Sequence, residues 1–262
     1  MKIVAVSMIG NEADVVECFV RHTLTRVDRL VVILHRSVDG TADIVGALDA
    51  DEFLKLPSPD FLHRALPAVP GKYFAAARWL NYLPMHVEDL ANSHVLRGIT
   101  HCRQVDTEPF YKVMLNPGFL QEGASLFEGS HCVMREMPGG HAAAPRIELK
   151  AIRLAHFPVR SPFQMARKAR IGALAKSLKS DHAIAGLGTH WQGLLEQVRT
   201  HPDMSFERLR SIAFHYPQTF SADAAIDERV IAHNPIACNF ELGYSHLIRT
   251  DLEGILADWA RA

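Results

Sequence analysis

In the stretch GALDADEFLKLP, residues 46–57, a short apolar approach runs into three acids, Asp49, Asp51 and Glu52. Carboxylates at alternate positions repel one another and lose hydration in apolar surroundings, so the arrangement calls for a compensating cation. Two hard oxygen donors spaced D-x-D suit a divalent ion and leave open positions for phosphate oxygens and water. The same triplet also occurs as a solvated turn in which Asp49 caps a helix. His131 in LFEGSHCVM and His156 in ELKAIRLAHFPV each sit near the end of a strand-like run and are candidate ligands for that ion. A third feature suits an anion. In HFPVRSPFQMARKARIG, Arg160 precedes a helix start, and Ser161, Gln164, Lys168 and Gly172 follow at spacings of three, four and four, on one stripe of the helix. Backbone donors at a helix N-terminus, with an arginine beside them and a lysine two turns along, form a plausible diphosphate clamp. The bland alternative is a basic surface helix.

These residues need elements to hold them. KIVAVSM, residues 2–8, has the continuous apolar character of a buried parallel strand. NEAD offers capping side chains, and VVECFVRHTL repeats its apolar positions at helical spacing. RLVVIL is a second apolar strand, closed by the Asp-Gly turn of HRSVDGT. Two strands around one helix predict a right-handed βαβ unit at the start of a Rossmann-like sheet, with Asn11, Glu12, Asp14 and Asp39 in the crevice at the strand ends. Asp49 and Asp51 join them if IVGAL is a third strand. Farther on, KYFAAARWLNYLP, YKVML and the two histidine-bearing runs read as strands. From Ser161 the pattern turns helical, with Ser161 at the N-cap, Pro162 at the first helical position, and a last amphipathic run in DLEGILADWARA. The expected organisation is an α/β core over residues 1–160 and a helical region over residues 161–262 packed on it.

Composition narrows the partners. The chain has 262 residues, nearly half of them apolar, with 28 Lys plus Arg against 29 Asp plus Glu. No basic arm or interleaved aromatic–basic pattern points to nucleic acid. The N-terminal apolar run ends in acids with no small-residue cleavage site, no segment has the length of a membrane span, and the four cysteines are scattered, so a cytoplasmic protein with reduced thiols is expected. Trp79, Trp191 and Trp259 lie in apolar patterns that read as core, although Trp79 comes from a region where an acceptor could bind.

Taken in order, NEADVVECFVRHTL, SVDGT, LDADEF, FEGSH and LAHFPVRSPFQMARKARIG resemble a bacterial branch of the family 2-type glycosyltransferases over most of residues 1 to 180. The resemblance implies a GT-A fold with a mostly parallel sheet, and transfer of a sugar from a nucleotide-diphosphate donor to a glycan or other hydroxyl acceptor. It places Asn11, Glu12 and Asp39 on the nucleotide side with Arg160 and Lys168, and Asp49 and Asp51 in the motif that holds Mn2+ or Mg2+, with His131 or His156 completing the shell. The catalytic base stays open among Glu88, Asp89, Glu108 and Glu128, and Glu52 reads equally as a structural partner to an arginine.

Two departures stand out. Where the family has an aspartate at the end of the second strand, this chain has Leu34. Seven residues separate Thr41 from Asp49, where the family places a helix, a strand and another helix. A parallel strand needs a crossover of about a dozen residues to return to its starting edge, so ADIVGAL cannot supply both the return and the strand. Exposed apolar strand surface and reduced activity follow as expectations, and a non-catalytic sugar- or protein-binding remnant of the fold is the main alternative. A haloacid-dehalogenase-like phosphatase also presents D-x-D after an apolar run, but it requires Thr or Val where this chain has Phe53.

Overall fold

The computed structural model describes residues 2–34, 51–105, 110–115, 119, 124–126, 130–138, 140–178, 189–217 and 224–244. Asp39, Asp49, the IVGAL run, Glu108, Glu128 and Trp259 lie outside the described residues. The architecture is mixed α/β. β1 (Val4–Ile9) pairs in parallel with β2 (Arg29–Leu34) across α1 (Ala13–Thr23), as the apolar runs predict. Asn11, between β1 and α1, takes φ 57, a left-handed conformation that asparagine tolerates better than most residues.

The rest of the sheet differs from the expected parallel order. β3 (Glu52–Lys55), β4 (Phe74–Leu83), β5 (His101–Arg103), β6 (Tyr111–Met114), β10 (Arg146–His156) and β11 (Ile231–His233) form one six-stranded sheet. Its order is β11-β5-β4-β10-β3, with β6 also on β4. Only β4 and β10 run parallel within it; the other pairings are antiparallel. β7 (Ala124–Leu126), β8 (Val133–Met137) and β9 (Gly140–Ala143) make a separate antiparallel sheet. The sheets are therefore mixed, not mostly parallel. β7, β8 and β9 follow one another through six and two residues, too few for the crossover of about a dozen that a parallel pair requires, and β5 and β6 both run back along β4.

β1 and β2 pair only with each other among the described strands. Their apolar runs read as buried strands, whereas the short interval before the D-x-D motif predicts exposed apolar surface on them: Val4, Val6, Met8 and Ile33 are 48%, 58%, 60% and 51% exposed, while Ser7 and Ile9 face inward. β4 meets the description of a central strand much better, since its run FAAARWLNYL is buried along almost its whole length. α1 joins β1 to the large sheet. Phe19 of α1 packs edge-on against Phe53 of β3 at 5.8 Å, and Phe53 meets Phe157 at 5.3 Å.

α2 (Phe61–Ala65) and α3 (Val95–Gly98) are single turns, and α4 (Pro162–Leu178), α5 (Thr189–Thr200) and α6 (Phe206–His215) cover the other side of the core. Ser161 caps α4 as its sequence predicts, accepting from the Gln164 backbone N–H at 3.0 Å. The capping expected of NEAD is absent: α1 has no side-chain cap, because its first carboxylates are engaged elsewhere. Beyond α6 the chain is not helical throughout. Ile231–His233 adds β11 to the sheet, and residues 234–244 run on as an extended belt. Lys55 Nζ donates to Asn234 Oδ1 at 2.5 Å, and Glu17 of α1 accepts from the backbone N–H groups of Gly243 and Tyr244 at 2.7 and 2.8 Å.

Candidate functional site

The reversal of β3 determines where its acid lies. Because β3 is antiparallel to β10, its first residue, Glu52, pairs with the last residue of β10, His156. Asp51 thus stands at the start of its strand yet at the carboxyl edge of β4 and β10. The Phe157 N–H donates to its carbonyl at 2.7 Å. The next turn of chain carries Arg160 and leads into α4, which reaches back over the same edge.

Arg160 is 6% exposed and serves several acids. Its Nε donates to Asp14 Oδ2 at 2.7 Å, its Nη2 donates to Glu12, and its Nη1 lies 3.5 Å from Asp51 Oδ2. Arg167 Nη2 donates to Asp14 Oδ1 at 2.9 Å. Lys168 Nζ donates to Asp51 Oδ2 at 2.5 Å, and Lys112 Nζ lies 3.2 Å from Glu52 Oε1. Glu52 thus has a structural cation partner in Lys112. Four carboxylates, Glu12, Asp14, Asp51 and Glu52, meet four cations, Lys112, Arg160, Arg167 and Lys168. Among the described residues, acids and cations alternate across the site.

Burial and pairing pull the acids apart. Burial pushes Glu12 up to about 7, with the nearby Asp51 and Asp14 adding to it and Arg160 opposing. Burial would also raise Asp14, but Arg160 and Arg167 outweigh it and hold the carboxyl down at about 2. Asp51 is likewise held below the ordinary carboxylate range against its burial, by Lys168 first and then His156 and Arg160. Arg167 adds to Arg160 at Asp14 and Lys168 adds to it at Asp51, so burial is outweighed at those two acids and not at Glu12.

His156, 2% exposed, is oriented through a relay. Asn81 Nδ2 donates to the Tyr216 carbonyl at 2.5 Å, which fixes Asn81 Oδ1 as an acceptor. His156 Nδ1 lies 2.8 Å from that oxygen and must donate to it. Its Nε2 is then the acceptor of a neutral ring, 3.7 Å from Asp51 Oδ2. Burial, aided by Lys168, Lys112 and Arg160, keeps the ring neutral down to about 3, with Asp51 opposing. The ring also stacks on Trp79 at 4.1 Å.

A cavity of about 300 Å³ opens against these groups, walled by Glu12, Asp51, Glu52, Lys112, His156 and Lys168 on its polar side. Trp79, His131, Trp191 and Tyr216 line it as well. His131 reaches the wall, but its Nδ1 donates to the Tyr111 carbonyl at 2.8 Å and its ring packs edge-on against Trp79 at 5.2 Å. Asn11 is buried in the turn before Glu12. Among the base candidates, Asp89 accepts from the backbone N–H groups of Met85 and His86, and Glu88 is exposed on the same turn; neither lines the cavity.

Of the metal ligands expected from the sequence, Asp51 and His156 come together. Two donors at 3.7 Å can share an ion held about 2.1 Å from each. Yet Asp51 already has an ammonium and a guanidinium beside it, and no cluster of three or more His, Cys, Asp or Glu side chains among the described residues is placed to hold a metal. The described residues therefore do not fit a divalent ion.

Lys112, Trp191, Tyr216, Asn81 and Arg167 joined the site only in three dimensions. Asn81 had a signal, since it interrupts an apolar strand. No helix among the described residues is long and apolar enough to cross a membrane. No family model, no curated protein and no solved structure matches the chain.

Proposed function

We propose that this protein binds a nucleotide-diphosphate sugar in the cavity at the ends of β1 and β10 and transfers the sugar to a hydroxyl acceptor, as a family 2-type glycosyltransferase shortened before its D-x-D motif. One observation above all supports this reading. NEAD, DADEF and LAHFPVRSPFQMARKAR are far apart in sequence, and Glu12, Asp51, His156, Arg160 and Lys168 from these three segments converge on one cavity edge. Convergence of separate motifs is what a shared ligand requires and what a basic surface helix does not explain.

In this reading, negative charge develops on the leaving nucleoside diphosphate, and preorganised cations lower the barrier by facing it. Lys168 on the wall and Arg160 behind it are the groups placed to do so. The manganese or magnesium implied by the motif would supply the same neutralisation, but the described donors are already engaged. The acceptor hydroxyl needs a base, sought among the wall carboxylates Glu12 and Glu52. Glu12, pushed up to about 7 by burial, is matched to proton transfer near neutral pH.

A thermal-shift titration with UDP, GDP and UDP-sugars tests the reading. A ligand at about a hundred times its Kd adds about 2.7 kcal/mol, which raises Tm by roughly 5–10 °C. Loss of that rise in Lys168→Gln would tie it to this cavity, whereas no shift with any nucleotide sinks the proposal. The second reading, a binding remnant, draws on the isolation of β1 and β2 from the main sheet. It predicts a nucleotide shift without sugar transfer or donor hydrolysis.

A further inference from the structure

We infer that Lys168 supplies the cation beside Asp51, on the carboxylate oxygen that His156 faces, so that this site takes no divalent metal ion of its own. The inference concerns the same cavity as the proposed function but does not depend on a nucleotide binding there.

The hydrogen-bond relay carries the argument. The Tyr216 carbonyl can only accept, so Asn81 presents its amide nitrogen to it and its oxygen to His156. That oxygen takes the Nδ1 proton, and the Nε2 lone pair is left facing Asp51 Oδ2 at 3.7 Å. A neutral imidazole with its second nitrogen held by an oxygen acceptor is how histidine is prepared to ligate a metal. Two acceptors facing each other in a buried site also require a positive charge nearby. The structure supplies one from its own chain: Lys168 Nζ lies 2.5 Å from the same carboxylate oxygen, with Arg160 Nη1 at 3.5 Å. The ammonium donates hydrogen bonds and carries charge, but it cannot accept a ligand's lone pair as an open metal coordination position does.

The position of Lys168 on α4 makes the occupancy intrinsic. Ser161 caps the helix, Gln164 Oε1 accepts from the Arg160 backbone N–H at 3.0 Å, and Lys168 follows one turn later on the same stripe. Lys168 is one of the four cations that face the carboxylates of this network. A divalent ion entering beside Asp51 would have to expel the ammonium and would face Arg160 as well, both repulsive at short range.

Manganese alone is the probe. The free Mn2+ signal in electron paramagnetic resonance is followed while the full chain is added, for wild type, Lys168→Met, Asp51→Asn and the double variant. The quantity read is the uptake that Asp51→Asn removes. The expected result is no such uptake by wild type and a gain of at least about tenfold in Lys168→Met, lost again in the double variant. Asp51-dependent uptake by wild type would overturn the inference, and that titration needs no variant at position 168 to fold. A well-folded Lys168→Met, checked by circular dichroism, that still takes up no manganese would also overturn it, since the ammonium would not then be what keeps the ion out. Lys168→Gln, which keeps a hydrogen bond to Asp51 without the charge, replaces Lys168→Met if the latter fails to fold.

Discussion

Arg160 Nε and Asp14 Oδ2 are 2.7 Å apart and join two segments 146 positions distant in sequence, the start of α1 and the turn after β10. Both groups are largely withdrawn from water, so removing either takes a close partner from the other and leaves Asp14 to Arg167, or Arg160 to Glu12 and Asp51. Arg160→Ala would leave three buried acids, Glu12, Asp14 and Asp51, with one cation fewer among them and is expected to cost about 3–5 kcal/mol in urea unfolding. Arg160→Lys should restore little of this, because an ammonium cannot present the fork that reaches Asp14 and Glu12 at once. A loss below about 1 kcal/mol in Arg160→Ala would mean that the network is hydrated and weak.

His22 makes stability pH-dependent. Its Nε2 donates to the Leu54 carbonyl at 2.9 Å, and burial, aided by Arg26 and opposed by that hydrogen bond, lowers its pKa from 6.5 to about 4. Between those values the unfolded chain binds a proton that the folded chain refuses, so stability falls as pH drops through the window, by up to about 1.4 kcal/mol per pH unit. His156 acts in the same sense. Glu12, raised from 4.5 to about 7, acts in the opposite one and gains stability as pH falls from 7 toward 4.5. The test is therefore a difference. Between pH 6 and 5, His22→Gln should show a shallower loss than wild type, by about 1 kcal/mol. Parallel profiles would show that His22 titrates freely in the fold.

Gly172 sits beneath the ring of Trp191, where a Cβ would lie 2.3 Å from Cε3 and 2.5 Å from Cδ2. Gly172→Ala must displace the indole or separate α4 from α5, at about 1–3 kcal/mol if the ring is held. Since Trp191 lines the cavity, its emission maximum should move as well. Unchanged stability and an unchanged spectrum would count against this packing.

Val6, 58% exposed on the outer face of β1, is expected to accept threonine within about 0.5 kcal/mol and to lower the binding of an apolar dye such as anilinonaphthalene sulfonate. A destabilisation typical of a buried methyl group would show that the face is covered in solution.

Local physics made much of this readable in advance. The Ser161 cap and the stripe Gln164, Lys168, Gly172 depend only on helical periodicity, and all three stripe residues turn toward the site: Gln164 under Arg160, Lys168 on Asp51, Gly172 under Trp191. The βαβ start was equally plain in its apolar runs. The direction of β3 was not, because strand polarity is decided by the chain on either side of a run and not by its own composition. Neither was the cation beside Asp51, since a D-x-D triplet reads the same whether its counter-charge is a metal or a lysine 117 positions later. Trp191, which reads as core from its apolar pattern, packs against the core and lines the cavity as well, because Gly172 leaves room for it on α4.

The belt of residues 234–244 has a consequence for synthesis. Glu17 finds its backbone donors at Gly243 and Tyr244, the nearer of them 226 positions downstream. On the ribosome, at about 5–20 residues per second, α1 waits on the order of tens of seconds before the segment that fastens it exists. During that time Arg21, one turn along α1, is the neighbour that holds this carboxylate, and a nascent-chain chaperone would meet the helix before the belt does.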